Sequence, residues 1–259
     1  MKLEFCKYQG AGNDFIMIDN RSLFFPKINS DLIAGLCDRK FGIGADGLIL
    51  VEPSEKYDFT MVYYNADGKP GTMCGNGGRC TVAYANRLGI IDDTAVFDAV
   101  DGLHEAFIKA ERVHLKMADV STVQEFKDHL FVNTGSPHHI TFVDTVSNTD
   151  VYNLGRSIRY GAPYFDEGAN VNFVEQEGPA TFKVRTYERG VENETLSCGT
   201  GVTAVALASH KIKKTSANKL TLNTLGGSLE VSFEPDNNTY KNVFLIGEAT
   251  FVFKGEISV

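Results

Sequence analysis

The chain of 259 residues lacks any run approaching 18 apolar residues, the length that a membrane-spanning helix requires, so no transmembrane helix is expected. Its start, Met1-Lys2-Leu3-Glu4-Phe5-Cys6-Lys7, alternates charged with apolar residues and lacks the apolar core of a secretory signal. It also lacks an excess of positive charge. With 25 Lys and Arg against 33 Asp and Glu the net charge is −8, which argues against a nucleic-acid partner. The one basic run, Lys211-Ile212-Lys213-Lys214, reads as a solvated helix end, where cations complement the helix dipole. No disulfide framework is visible: Cys6, Cys37, Cys74, Cys80 and Cys198 are odd in number and scattered, as suits a reducing cytoplasm. Neither a P-loop nor a dinucleotide fingerprint occurs among the glycines. What remains is a soluble globular chain, 43% hydrophobic and 22% charged, with thiols available for chemistry.

What the chain does have is an internal repeat. Met73-Cys74-Gly75-Asn76-Gly77 and Ser197-Cys198-Gly199-Thr200-Gly201 set a cysteine and two glycines at the same spacing in opposite halves, at an offset of 124 residues from 74 to 198. At that offset or one more, Gly10 matches Gly135, Asp19 matches Asp144, Gly44-Ala45 matches Gly168-Ala169, Tyr63 matches Tyr187 and Gly102 matches Gly227. The order is kept in both halves, so the chain reads as a duplication.

Each half carries alternating and β-branched strands around one small-residue helix. Strands are expected over Lys2 to Tyr8, Asp14 to Asp19, Gly47 to Val51, Asp58 to Tyr64 and, within 95–117, further strands, with a helix from about Gly75 to Leu88. The second half repeats this with strands near His139 to Val143, Val171 to Val174 and Thr181 to Tyr187, a helix from about Gly199 to Lys211, and strands to the end. The run Val202 to Ala208 is apolar on nearly every side, as a helix enclosed by sheet would be. The expected fold is α+β: two pseudo-symmetric domains, each a curled, largely antiparallel sheet or barrel around a central helix, with the active site in the cleft between them. Residues 1–117, completed by the C-terminal strand 249–259, form the first domain, and residues 118–248 the second.

Two thiols at helix starts point to acid and base. A cysteine reacts as its thiolate, which a helix N-terminus favours. Gly75-Asn76-Gly77 and Gly199-Thr200-Gly201 are expected to turn backbone N–H groups toward an anion, since glycine permits close approach and positive φ. That set fits inversion at an amino-acid α-carbon: one thiolate takes the α-proton, the opposed thiol returns one, and N–H donors hold the carboxylate. Around the thiols the halves diverge. Asp46 aligns with Asn170, Asn65 with Arg189, and Asn13 with His138, as asymmetric recognition would require.

These residues closely resemble the diaminopimelate epimerase family. The matching segments are Gly10-Ala11-Gly12-Asn13-Asp14-Phe15, Gly42 to Gly47, Asn65-Ala66-Asp67-Gly68, Met73 to Cys80, Pro137-His138, Asn170, Tyr187-Glu188-Arg189-Gly190 and Cys198-Gly199-Thr200-Gly201, which span nearly the whole chain. The resemblance implies a cofactor-independent, PLP-independent epimerisation of LL-diaminopimelate to the meso form, for lysine and peptidoglycan synthesis. It puts the acid/base roles on Cys74 and Cys198. It further implies substrate contacts from Asn13, Asn65, Asn170, Glu188 and Arg189, backbone donors from Gly75, Asn76, Gly199 and Thr200, and thiol tuning by His138 and Glu188. Arg189 suits a distal carboxylate. Many members carry Asn where this chain has Ser136, whose shorter side chain would reach the substrate only through water. A homodimer is implied as well.

Other readings compete. Cys6, Cys37 and Cys80 read as small buried hydrophobes. Zinc held by Cys74, Cys80 and Cys198 would lack the usual fourth ligand, and no metal is expected. A proline or hydroxyproline racemase of the same fold would need a more apolar pocket than Arg189 and the asparagines provide. A non-catalytic thiol switch between Cys74 and Cys198 would leave the polar shell without purpose.

Overall fold

The computed structural model describes residues 2–259. In chain order the elements of the first half are β1 (Lys2–Gly10), β2 (Asn13–Asp19), α1 (Ser30–Cys37), β3 (Gly47–Glu52), β4 (Phe59–Asn65), α2 (Gly75–Arg87), β5 (Thr94–Ala99), β6 (Gly102–Lys109) and β7 (Arg112–Lys116). There follow β8 (Val123–Glu125), β9 (Leu130–Asn133), β10 (Pro137–Phe142), α3 (Val151–Tyr160), β11 (Asn170–Gly178), β12 (Thr181–Glu188), β13 (Asn193–Thr195), α4 (Gly199–Lys211), β14 (Lys219–Thr224), β15 (Gly227–Asp236), β16 (Thr239–Gly247) and β17 (Thr250–Ser258). The chain divides into two compact units, one reaching Leu115 and taking in Gly247–Val259, the other covering Lys116–Ile246.

In the first unit the strands pair in the order β17-β1-β2-β3-β4-β5-β6-β7, with β2–β3 and β4–β5 parallel and the rest antiparallel. The second unit pairs in the order β8-β9-β10-β11-β12-β14-β15-β16, with β10–β11 and β12–β14 parallel. A short β13 adds to β12. The two orders are the same topology, and the parallel pairs fall where a helix makes the crossover that parallel strands need. The duplication seen in the sequence is therefore a duplication of fold.

The first sheet curls around α2, which contacts β17, β1, β2, β3 and β6; α4 likewise contacts strands from β8 to β15 in its own unit. Val202 to Ala208 are all buried, as the apolar run required. Each half holds one more helix than the sequence pattern indicated. α1 lies on β3 and α3 on β11 and β12, on the opposite face from the central helix. That is why all six residues of β3 are buried: α2 covers one face and α1 the other. Under α1, Ile33, Leu36 and Cys37 pack with Ile16, Ile18, Leu48 and Leu50. Under α3, Val151 and Ile158 pack with Val171, Phe173 and Tyr187.

Both extra helices begin on a side-chain cap. Asn29 Oδ1 accepts the Leu32 N–H at 3.0 Å and Asp150 Oδ1 accepts the Asn153 N–H at 3.1 Å. Two of the matched glycine pairs, Gly44 with Gly168 and Gly102 with Gly227, also share a positive φ. Gly102 and Gly227 open β6 and β15 with φ of +122° and +140°, a region closed to residues with a Cβ.

Candidate active site

Each central helix begins at a cysteine. Cys74 is the N-cap of α2 and Cys198 the N-cap of α4, both in extended backbone, with Gly75 and Gly199 the first helical residues. The glycines expected to adopt positive φ are helical instead, and their role is close approach. A Cβ on Gly77 would lie 3.2 Å from Cys74 Sγ and from Ile49, and one on Gly201 would lie 2.6 Å from Asn172 Oδ1.

In the first unit, Cys74 Sγ accepts the Gly77 N–H at 3.2 Å, filling the place of an N-cap oxygen. Asn13, at the start of β2, places Oδ1 at 3.9 Å from the sulfur. Its amide is turned by a bond from Nδ2 to Asp46 Oδ2 at 2.6 Å. Asp46 is itself held by Arg39 at 2.8 Å, and Arg39 forks onto Asp14 at 3.0 and 2.7 Å. Although burial opposes ionisation of Asp14, hydrogen bonds from Arg39 and Lys7 hold its carboxyl well below the usual range. Asn76 turns its side chain inward, accepting from Arg79 Nη2 at 2.9 Å, so its backbone rather than its amide faces the helix start. Asn65 ends β4 opposite Gly47 of β3, the residue after Asp46, in a turn closed by the Gly68 N–H on its carbonyl at 2.9 Å.

Arg79 belongs to the Met73 to Cys80 segment, but the sequence alone assigned it no role. It is fully buried, its guanidinium bonds Gly75 O at 3.1 Å, and among the described residues it forms no ion pair with a carboxylate. Burial pushes its pKa down to about 10.

In the second unit, Cys198 is buried and its Sγ lies 3.4 Å from Thr200 Oγ1. Thr200 Oγ1 is 3.0 Å from His138 Nε2, and the Thr200 carbonyl accepts from Thr134 Oγ1 at 3.0 Å. His138 is fully buried on β10, and burial, aided by the positive charge of Arg189, pushes its pKa down to about 3. Asn170 opens β11 opposite His138, donates to Ser136 Oγ at 2.8 Å and Pro137 O at 3.0 Å, and accepts the Arg189 N–H at 2.9 Å. Ser136 thus holds Asn170 in place. Arg189 Nη1 bonds Glu167 O at 2.9 Å.

Glu188 ends β12 and accepts from Thr195 Oγ1 at 2.9 Å. Burial raises its pKa, against the lowering effect of the Thr195 bond. The structure therefore joins His138, Thr200 and Cys198 in one chain. Asn172, Thr134 and Thr186 belong to that polar cluster and were not singled out from the sequence. The only signal was that Asn172 lies two residues after Asn170, on the same strand face.

The remaining cysteines are buried thiols, with burial raising Cys6, pushing Cys37 up to about 11 and Cys80 up to about 12. Among the described residues no cluster of three His, Cys, Asp or Glu side chains could hold a metal ion.

This duplicated sheet-and-helix fold is shared by solved structures of low sequence identity. A PhzF-family phenazine biosynthesis protein from Bacillus anthracis superimposes with a TM-score of 0.80 at 12% identity, covering all of both chains. A hydroxyproline epimerase from Agrobacterium vitis gives 0.68 at 12% identity over 100% of this chain and 93% of its own. Sequence narrows the class. The family profile described as diaminopimelate epimerase matches residues 5–123 and 130–252. A diaminopimelate epimerase of Flavobacterium psychrophilum is 56% identical over 97% of this chain and 98% of its own length, and one of Chlorobaculum tepidum is 43% identical over 96% and 99%. The chain belongs to the diaminopimelate epimerase family, and it is an isomerase.

Proposed function

We propose that the protein interconverts LL- and meso-diaminopimelate without an added cofactor, with Cys74 and Cys198 as the acid/base pair on opposite faces of one α-carbon. The observation that carries this is the thiol at the start of each duplicated helix, one beside Asn13 and the other beside Thr200. The thiolate takes the α-proton from one face as the thiol delivers its own to the other, so charge and proton count are conserved. Negative charge that spreads into the substrate carboxylate is met by the N–H groups of Gly75, Asn76, Gly199 and Thr200.

Asn13, Asn65, Asn170, Glu188 and Arg189 are proposed to bind the substrate's polar groups. The planar fork of Arg189 suits a second carboxylate, which proline and hydroxyproline lack. His138 and Glu188 tune the thiols, the first through Thr200 and the second from beside Thr195. The product would serve lysine and peptidoglycan-precursor synthesis in the cytoplasm, and the working form is a homodimer.

The test is turnover of LL-diaminopimelate in deuterated water with reductant and no cofactor, with proline as the rival substrate. A thiol carries one proton, so product formed at low conversion should hold solvent deuterium at its new stereocentre, while residual substrate stays protiated. Product that keeps its original α-hydrogen, or turnover of proline alone, overturns the proposal.

A further inference from the structure

The polarity of the chain that ends at Cys198 can be derived from its far end. Asn172 lies fully buried on β11, in register with Thr186 on β12. Its Nδ2 is 3.0 Å from the His139 carbonyl, which can only accept, and its Oδ1 receives the Thr186 hydroxyl at 2.9 Å. A flipped amide would set two oxygens against each other at His139, so the orientation is fixed. The same Nδ2 lies 3.2 Å from His138 Nδ1, which must therefore accept. A neutral imidazole that accepts at Nδ1 carries its proton on Nε2, and that N–H reaches Thr200 Oγ1 at 3.0 Å. With its oxygen accepting from His138, the Thr200 hydroxyl has its own proton to give, and Cys198 Sγ is 3.4 Å away.

We propose that Asn172 is a positioning residue for Cys198: it holds His138 as the neutral Nε2–H tautomer and thereby commits the Thr200 hydroxyl to donate to the Cys198 sulfur. The inference rests on Cys198 being an acid/base thiol and deepens that assignment. It makes His138 a donor that organises the site, not a base that takes the thiol proton. A donor aimed at sulfur favours the thiolate, the form Cys198 takes each time it gives up its proton. The first unit meets the same need differently, since Cys74 receives the backbone N–H of Gly77.

The surroundings agree. Arg189 is the charge that reaches His138, and with burial it disfavours the imidazolium, so the ring stays neutral across the working pH range. Gly201 is needed because any side chain there would strike Asn172 Oδ1. The first turn of α4 is thus built onto the group that sets the tautomer.

The experiment reads the ring and the sulfur directly in the full-length protein. With ¹⁵N-labelled histidine, His138 should show a protonated Nε2 and an unprotonated Nδ1, unchanged down to about pH 5. Site-resolved alkylation by iodoacetamide then reports the thiolate at Cys198. Thr200→Val keeps the shape and removes the donor, and should slow alkylation of Cys198 near pH 7 by about tenfold or more, the worth of one hydrogen bond to a charged group. Thr200→Ser should restore it. Asn172→Asp presents an acceptor to Nδ1, inverts the tautomer and draws the Thr200 proton toward Nε2, so it should slow Cys198 as Thr200→Val does while Cys74 stays within about twofold.

A proton on Nδ1 in the wild-type protein, a ring that titrates above about pH 5, or Thr200→Val alkylating at the wild-type rate overturns the inference. If Asn172→Asp does not fold, the wild-type spectrum and the Thr200 pair decide. None of these readouts depends on turnover. Wild-type protein inert toward diaminopimelate would count against the proposed function, whereas an active enzyme with the wrong tautomer would count against this inference alone.

Discussion

The Gly77 N–H donates to Cys74 Sγ over 3.2 Å, so the thiol of Cys74 is itself the capping acceptor of α2. Cys198 stands at the same place on α4 without a side-chain cap bond, its sulfur facing Thr200 instead. The two halves share a topology and differ in what their thiols do for the fold.

That difference gives a stability test. Cys74→Ala removes a cap and should lower unfolding free energy by ~1 kcal/mol, whereas Cys74→Ser keeps an acceptor and should stay within about 0.5 kcal/mol of wild type. Cys198→Ala has no cap to lose. Urea denaturation of the three variants checks this, and equal losses in Cys74→Ala and Cys74→Ser would remove the capping role. Epimerisation should fall by at least ~10³ in both alanine variants, because general acid/base groups contribute roughly 10²–10⁴.

Burial of two histidines predicts a pH dependence. Burial pushes His138 down to about 3 and His139 down to about 4, below the ordinary value of 6.5. Between 6.5 and those values the unfolded chain binds protons that the folded chain does not, so stability rises with pH and is lost as pH falls through this window. Each imidazole should account for roughly 2 kcal/mol between pH 7 and 5. The raised Glu188 acts in the opposite sense, and the lowered Asp14 adds an acid loss only in the carboxylate range. Urea midpoints at pH 7 and 5 should show the drop, with a smaller one in His139→Gln. A flat profile between those pH values would contradict it.

The central helices and their cysteines were legible in the sequence because small residues and paired glycines leave few alternatives. Gly77 and Gly201 are demanded by contacts with Cys74 and Asn172, and such demands survive in both halves. The helices α1 and α3 were not legible. They are 8 and 10 residues long and carry Gly35 and Gly155, which read as breakers. The reason for Gly155 is tertiary: a Cβ there would lie 2.4 Å from the Tyr187 Cβ on β12. Asn172 and the buried role of Arg79 were hidden for a related reason. A lone charge or amide reads as solvated until the fold encloses it, and their partners Asn76, His138 and Thr186 lie on a helix turn or neighbouring strands.

The two kinds of glycine predict opposite mutational outcomes. Gly35 has open space where a Cβ would go and is helical, so Gly35→Ala should stabilise the protein by ~0.5–1 kcal/mol. Gly201→Ala drives a methyl into Asn172 and should cost ~1–3 kcal/mol. Thermal unfolding of both variants checks the sign of each. Destabilisation by Gly35→Ala would show that its open side is not open in solution.

Arg189 tests recognition. Its backbone N–H is fixed by Asn170 Oδ1 at 2.9 Å, Asn170 is fixed by Ser136 and Pro137, and one guanidinium nitrogen is tethered to Glu167 O at 2.9 Å. The rest of the guanidinium fork, already oriented, can grip a carboxylate through two parallel N–H groups. Arg189→Lys keeps the charge and loses that geometry, so it should raise KM for diaminopimelate about tenfold or more with a smaller change in kcat. On an analogue without the distal carboxylate, Arg189→Lys and wild type should differ little, because the group that arginine reads is missing. Steady-state kinetics on both compounds decides the point. Equal losses on the two would mean that Arg189 shapes the site without reading that end of the substrate.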